Sequence, residues 1–130
     1  EAPAFVYANS MVILGQQPVI VDTGMVGNRE AWLNDVFSLV DPKDVRWVFV
    51  THDDRDHVGN LPQVLEKCPN ATLVTQWAGI ARMSGLASRG GICAQPSGPA
   101  AALQQPGRAG GQALVHRLEQ PVGCFASRDR

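Results

Sequence analysis

No apolar run in this 130-residue chain approaches the roughly 20 positions needed to cross a bilayer, and no signal-peptide pattern is visible. Strong charge of either sign is also missing. A net charge of −1 gives no sign of binding to nucleic acid or an anionic membrane by bulk charge, and neither is expected as a partner. The three cysteines, Cys68, Cys93 and Cys124, are odd in number and widely spaced. They give neither a disulfide framework nor a Cys-x-x-Cys metal knuckle, and a reducing, cytoplasmic setting is the default expectation. Histidine is scarce as well: three in the chain, two of them within six positions.

What is present divides unevenly. Residues 1–83 carry 6 Lys+Arg against 10 Asp+Glu, whereas residues 84–130 carry 5 Arg, no Lys and 2 acidic residues. The second part also holds 8 of the 13 glycines, with Pro96, Pro99, Pro106 and Pro121 scattered through it. Such a composition resists long helices and strands, so residues 84–112 read as loop-rich or disordered, with a short strand or helix only over 112–119. At 45% hydrophobic, the chain is long enough for one core and short for two domains. The expected organisation is a folded unit over 1–83 followed by a Gly/Pro/Ala/Arg-rich tail over 84–130. The chain opens on Glu1 rather than Met, as an excerpt or a processed product would. Truncation, excerpting or a shifted reading frame would each account for a tail without lysine.

The first part has clear periodicity. Short apolar strands are expected over 4–8 and 10–14, a turn over 15–18, and a second hairpin strand over 19–22. Asn28 is placed to cap a helix over about 29–40, with Trp32, Val36 and Phe37 on its apolar face and Asp41-Pro42 as its stop. Residues 45–50 form a strand with little alternation, as expected for burial on both faces. A helix over 60–67, with Pro62 in its first turn, then a strand over 71–75 and a helix over 76–83 complete an α/β layered arrangement.

The strand at 45–50 runs into Thr51-His52-Asp53-Asp54-Arg55-Asp56-His57. Imidazoles and carboxylates at a strand's carboxyl end are ligand types for zinc, iron or manganese, at the place where α/β sheets carry their sites. In an extended loop, His52, Asp54 and Asp56 would project to one side and His57 differently. Four donors can thus split between two divalent metal ions a few ångströms apart, clamping a hydroxide nucleophile. Asp54 makes its half harder and more anionic than an imidazole would, which shifts preference towards iron or manganese without excluding zinc. The plain alternative is a solvated loop whose Asp56 caps the next helix.

The pattern Thr51-His52-x-Asp54-x-Asp56-His57, with Val21-Asp22-Thr23-Gly24 upstream, resembles the metallo-β-lactamase superfamily over residues 4–83. The usual signature there is His-x-His-x-Asp-His. Asp54 departs from it, and an acidic residue at that position resembles the flavodiiron-like, oxygen-binding branch, where it is most often glutamate. The resemblance implies the N-terminal half of an αββα sandwich with a dinuclear site at one edge. By position, His52 and Asp54 would serve the first metal, Asp56 and His57 the second, and Asp22 would hydrogen-bond the motif loop from beneath. The family supplies a further histidine some sixty residues on. His116 fits that spacing, 59 positions after His57, although its surroundings are not the familiar ones and an incidental histidine is the plainer reading. Asp129 is the only later aspartate, and no histidine follows His116.

Three functions follow from this pattern. The favoured one is a metal-dependent hydrolase of an ester, thioester, lactone or phosphoester, with Asp56 orienting the attacking hydroxide. The others are a di-iron redox or oxygen-binding protein and a non-catalytic remnant. A half-sandwich exposes one sheet face, which favours self-association into a homo-oligomer.

Overall fold

The computed structural model describes residues 4–83, 92–95 and 114–125. Two strands form a hairpin, β1 (Ala4–Leu14) and β2 (Val19–Val21), paired antiparallel with Met11 opposite Val21. Gly15, Gln16 and Gln17 make the turn and are exposed, as a hairpin tip requires. The expected pair of strands over 4–14 is thus one long strand. A 3-10 turn at Val26–Asn28 leads into helix α1 (Arg29–Leu39), which ends just before Asp41-Pro42 as the sequence predicts. Strand β3 (Trp47–Val50), the short helix α2 (Arg55–Val58), helix α3 (Leu61–Lys67), strand β4 (Thr72–Gln76) and helix α4 (Trp77–Met83) follow.

One strand comes from the part expected to be loop-rich, and a second extends the short element expected over 112–119. Strand β5 (Ile92–Gln95) adds parallel to β4, and β6 (Leu114–Phe125) pairs antiparallel with β1 along its length. The loop-rich reading of 84–112 is therefore corrected at 92–95, and the short element over 112–119 is the start of a 12-residue strand. Residues 84–91, 96–113 and 126–130 lie outside the described residues. Pro121 is accommodated because β6 is an edge strand and the register slips beside it, between Val6 and Tyr7 of β1.

The sheet order is β5-β4-β3-β2-β1-β6, with β2 to β5 mutually parallel. Each step from β2 to β3 and from β3 to β4 moves one place in the same direction. Right-handed crossovers then deliver α1 and α3 to the same face of the sheet. That face holds the core. Val12, Ile20, Val48 and Leu73 share one row across the strands, packed with Trp32 and Val36 from α1 and Leu61 and Val64 from α3. Trp32 is 1% exposed and donates from Nε1 to Ser10 Oγ at 2.7 Å, so its one polar atom is satisfied inside the core. On the opposite face, Met11, Ile13, Val19, Trp47 and Phe49 are only partly buried. The expectation that β3 is buried on both faces is thereby corrected: Val48 and Val50 are buried, and Trp47 and Phe49 alternate with them on the more open side.

This mixed α/β fold, one sheet with helices on a single face, is the half-sandwich the motif order implies. Among the described residues, no helix is long and apolar enough to cross a membrane.

Candidate metal centre

Strands β2 and β3 run parallel and end side by side, so the turn after Val21 and the loop after Val50 meet at one sheet edge. Two sequence motifs 29 to 35 positions apart are joined there. Asp22 N donates to Phe49 O (2.8 Å), Thr23 N to His57 O (2.7 Å) and Gly59 N to Gly24 O (2.9 Å). The turn has an unusual backbone: Asp22 has φ +56° and Gly24 φ +64°. Aspartate tolerates the left-handed region better than most residues, and glycine occupies it freely. At Gly24 a Cβ would also meet Gln120 Oε1 at 2.5 Å. At Gly59 it would fall 2.6 Å from Gly24 O, 2.7 Å from Val26 N and 2.8 Å from Arg55 O. Gly59 is demanded because two backbones touch there, and Gly24 by its left-handed backbone and the Gln120 and Trp32 side chains packed against it.

The Asp22 side chain, 6% exposed, is an acceptor for both motif histidines, directly or through one hydroxyl. Its Oδ1 accepts from Thr51 N at 2.8 Å, its Oδ2 from Thr51 Oγ1 at 2.8 Å, and its Oδ2 lies 2.8 Å from His57 Nδ1. A carboxylate only accepts, so the His57 proton sits on Nδ1 and Nε2 keeps a free lone pair. The Thr51 hydroxyl proton is committed to Asp22. Its oxygen is left to accept from His52 Nδ1, 3.0 Å away. The network therefore assigns both rings the same tautomer, with Nε2 available to a metal.

The donor atoms fall into two pairs. His52 Nε2 lies 3.3 Å from Asp54 Oδ2, and His57 Nε2 lies 3.3 Å from Asp56 Oδ2. Two donors each about 2.1 Å from one ion, at an angle near 100°, are roughly 3.2 Å apart. Each pair is thus spaced as two neighbouring ligands of a single ion. The two rings lie 4.0 Å apart between centroids, so the pairs adjoin. This pairing of side chains has a local cause in the backbone. The loop is extended only through Asp54, after which α2 begins at Arg55. The coil-to-helix transition puts Asp56 beside His57, where strand-like alternation would have grouped it with His52 and Asp54. Asp56 lies inside α2 and Asp54 holds the N-cap position without a side-chain capping bond, so the loop is not explained as a helix cap. Among the described residues, no three His, Cys, Asp or Glu side chains close around one point. The donor chemistry fits two half-sites, each needing further ligands.

His116 is not brought to this edge. It pairs with Val12 in the middle of the sheet, in the row of Ile20 and Val48, whereas Gln120, four residues on, is level with the motif turn. Asp129 lies outside the described residues.

Several contributors were not legible in the sequence. Asn60, fully buried, donates from Nδ2 to Thr23 O at 2.8 Å and Met25 O at 3.2 Å, while its Oδ1 accepts from Arg29 Nε at 3.1 Å. Gln120 Oε1 accepts from Met25 N at 3.2 Å, so the last strand closes over the first motif's turn. Arg82 on α4 grips Asp53, the residue between His52 and Asp54. A polar residue at a helix start or in a strand carries no local sign of such a role.

Comparison with known proteins places this geometry in context. The family model of the metallo-beta-lactamase superfamily matches residues 3–76. A diflavin flavoprotein of Nostoc sp. is 33% identical over 78 residues, covering 60% of this chain and 14% of the relative. A flavo-diiron protein of Clostridium acetobutylicum is 28% identical over 71 residues, covering 55% of this chain and 18% of the relative. The chain therefore spans less than a fifth of the length of these curated relatives. Among solved structures, the flavodiiron protein from Giardia intestinalis superimposes with a TM-score of 0.61 at 20% identity, over 67% of this chain and 22% of that one. At that identity the likeness concerns the fold.

Proposed function

The chain belongs to the metallo-β-lactamase superfamily, and from that membership we propose that it supplies half of a dinuclear iron centre of the flavodiiron kind. The observation that carries this reading is Asp54. A carboxylate stands where the usual signature has its second histidine, and its Oδ2 is 3.3 Å from His52 Nε2. Carboxylate oxygen paired with imidazole suits iron better than an all-imidazole set does. The flavodiiron and diflavin names of the relatives support the same reading. Iron, when bound, would supply one-electron redox chemistry towards a small molecule.

The protein's own residues prepare that site. His52 and His57 present Nε2 because Thr51 and Asp22 hold their Nδ1 protons. Asp54 and Asp56 add negative oxygen, one to each half. Further ligands, any redox partner and the association of copies belong to the same proposal, since the chain is a small part of its relatives' length. Asp56, one-third exposed and facing His57, is also placed to orient a water, which favours metal-dependent hydrolysis as a second reading.

Elemental analysis of the chain purified from iron-supplied and zinc-supplied cultures separates the two. Iron retained at up to two equivalents, with visible absorbance that disappears in His57→Ala, is the expected result. Colourless protein that takes only zinc and cleaves an ester or thioester would overturn the iron reading in favour of the hydrolase.

A further inference from the structure

We propose that Arg82 is a positioning residue for the first half of the centre, acting through Asp53 to fix the loop between His52 and Asp54. This rests on the dinuclear reading above, and it is argued from an asymmetry in how the two halves are held. Asp56 and His57 sit in α2, and His57 is fixed at both levels: Nδ1 to Asp22, and backbone O to Thr23 N and Oγ1. His52 and Asp54 have much less beneath them. His52 leans on the Thr51 hydroxyl and on the His57 ring, and Asp54 is 75% exposed. The residue between them, Asp53, is instead clamped from outside.

The clamp is a fork. Arg82 Nε donates to Asp53 Oδ2 and Nη2 to Asp53 Oδ1, the latter at 2.6 Å. Paired parallel bonds of this kind fix orientation as well as distance, which a single ammonium contact does not. The guanidinium holds the Asp53 carboxyl below its ordinary range and also feels the charge of Asp54.

The helix that carries Arg82 is well anchored, although the Arg82 side chain is 55% exposed. Strand β4 lies beside β3, with Val50 opposite Thr75, so α4 starts next to the motif loop. The neighbouring Met83 is buried at 7%. Gly79 packs so closely on Thr75 that a Cβ there would lie 2.8 Å from Thr75 Oγ1. Exposed ion pairs are commonly worth little. This one differs in being bidentate, in having Asp53 only 21% exposed, and in springing from a helix seated on the core.

The test is titration of the full chain with ferrous iron and, separately, with zinc, competed against a chromophoric chelator. Wild type is compared with Arg82→Gln, Arg82→Lys, Asp53→Asn and the Asp53→Asn/Arg82→Gln double variant. Residues that orient metal ligands typically change affinity by about 10- to 100-fold, and partial exposure puts the expectation at the low end, about 10-fold. One binding step should weaken by that factor in Arg82→Gln while the other stays within about twofold. Arg82→Lys should recover part of the loss, and Asp53→Asn should match Arg82→Gln with no further loss in the double variant. Equal weakening of both steps, no weakening of either, or additive losses in the double variant would each overturn the proposal. Preference for zinc over iron with the one-step loss intact would overturn the iron reading and support the role of Arg82. A wild-type chain that binds neither ion overturns both.

Discussion

Replacing Asp22 by asparagine should flip the tautomer of His57 before it does anything else. Asparagine keeps the side-chain shape and tolerates the left-handed backbone at φ +56°, so the turn survives. One carboxylate oxygen becomes an NH2 group. Oδ1 can still accept from Thr51 N, now 2.8 Å away, so the amide nitrogen takes the place of Oδ2 opposite His57 Nδ1. Two donors cannot share that 2.8 Å contact. The imidazole proton must move to Nε2, leaving Nδ1 as acceptor, and the lone pair offered to the metal is lost. The Thr51 hydroxyl loses its Oδ2 acceptor in the same step and keeps only the longer 3.0 Å contact with Oδ1, which loosens His52 as well.

Loss of charge assistance in bonds to Asp22 should cost about 1.5–3 kcal/mol of stability in Asp22→Asn. Asp22→Ala leaves the Thr51 and His57 donors unpaired and puts alanine in the left-handed region, for about 3–5 kcal/mol. Against a typical total of about 5–15 kcal/mol, the alanine variant is near the limit of folding, and the asparagine variant is the informative one. Urea unfolding reads the stability, and 15N shifts of the imidazole nitrogens read the tautomer directly. Retention of the proton on His57 Nδ1 in Asp22→Asn, or a cost below about 1 kcal/mol in Asp22→Ala, would refute the network as drawn.

Gly59→Ala should destabilise by at least about 2 kcal/mol, because its Cβ meets three backbone atoms that cannot move independently; urea midpoints check this. His116→Ala should leave metal stoichiometry unchanged, as expected of a residue opposite Val12 in mid-sheet; elemental analysis decides, and a lost equivalent would restore His116 as a ligand. Cys68 is buried at a helix end, and burial pushes its thiol up to about 11. It should resist alkylation at pH 8 in folded protein and react on unfolding. Its raised pKa also sets a sign: stability is lost above about pH 9, where the unfolded thiol ionises first.

The sequence exposed the ligand types and concealed the frame around them. The hairpin, α1, α3 and β4 follow from local apolar periodicity and turn residues, signals contained within ten or so positions. Strand β5 was missed, and β6 was legible only as a short element over 112–119, because their partners are remote. Met11 pairs with Arg117 across more than a hundred residues, and a Gly- and Pro-containing segment gives no local hint that an edge awaits it. The same holds for Arg82. A basic residue near the end of a short helix is ordinarily a solvated side chain, and only the adjacency of β3 and β4 brings it to Asp53.

Asp22 shows why two readings of one residue need not compete. A strand-end turn aspartate and a residue that orients the metal ligands are here the same object. The left-handed backbone at Asp22 gives the turn, and its side chain reaches Thr51 and His57 on the adjoining loop. Main-chain bonds from Thr23 to His57 and from Gly59 to Gly24 lock the two loops together, and Asn60 closes the seam from below. The two motifs are one folding unit divided by α1 and β3. Damage to either should therefore appear in both, and variants at Asp22 and Gly59 should couple energetically, as residues of one hydrogen-bond network do, instead of adding. A double-mutant cycle of Asp22→Asn with Gly59→Ala should show a coupling of about 0.5 kcal/mol or more. Strict additivity would mean that the turn and the motif loop are held independently, and that the tautomers of His52 and His57 do not depend on the seam between them.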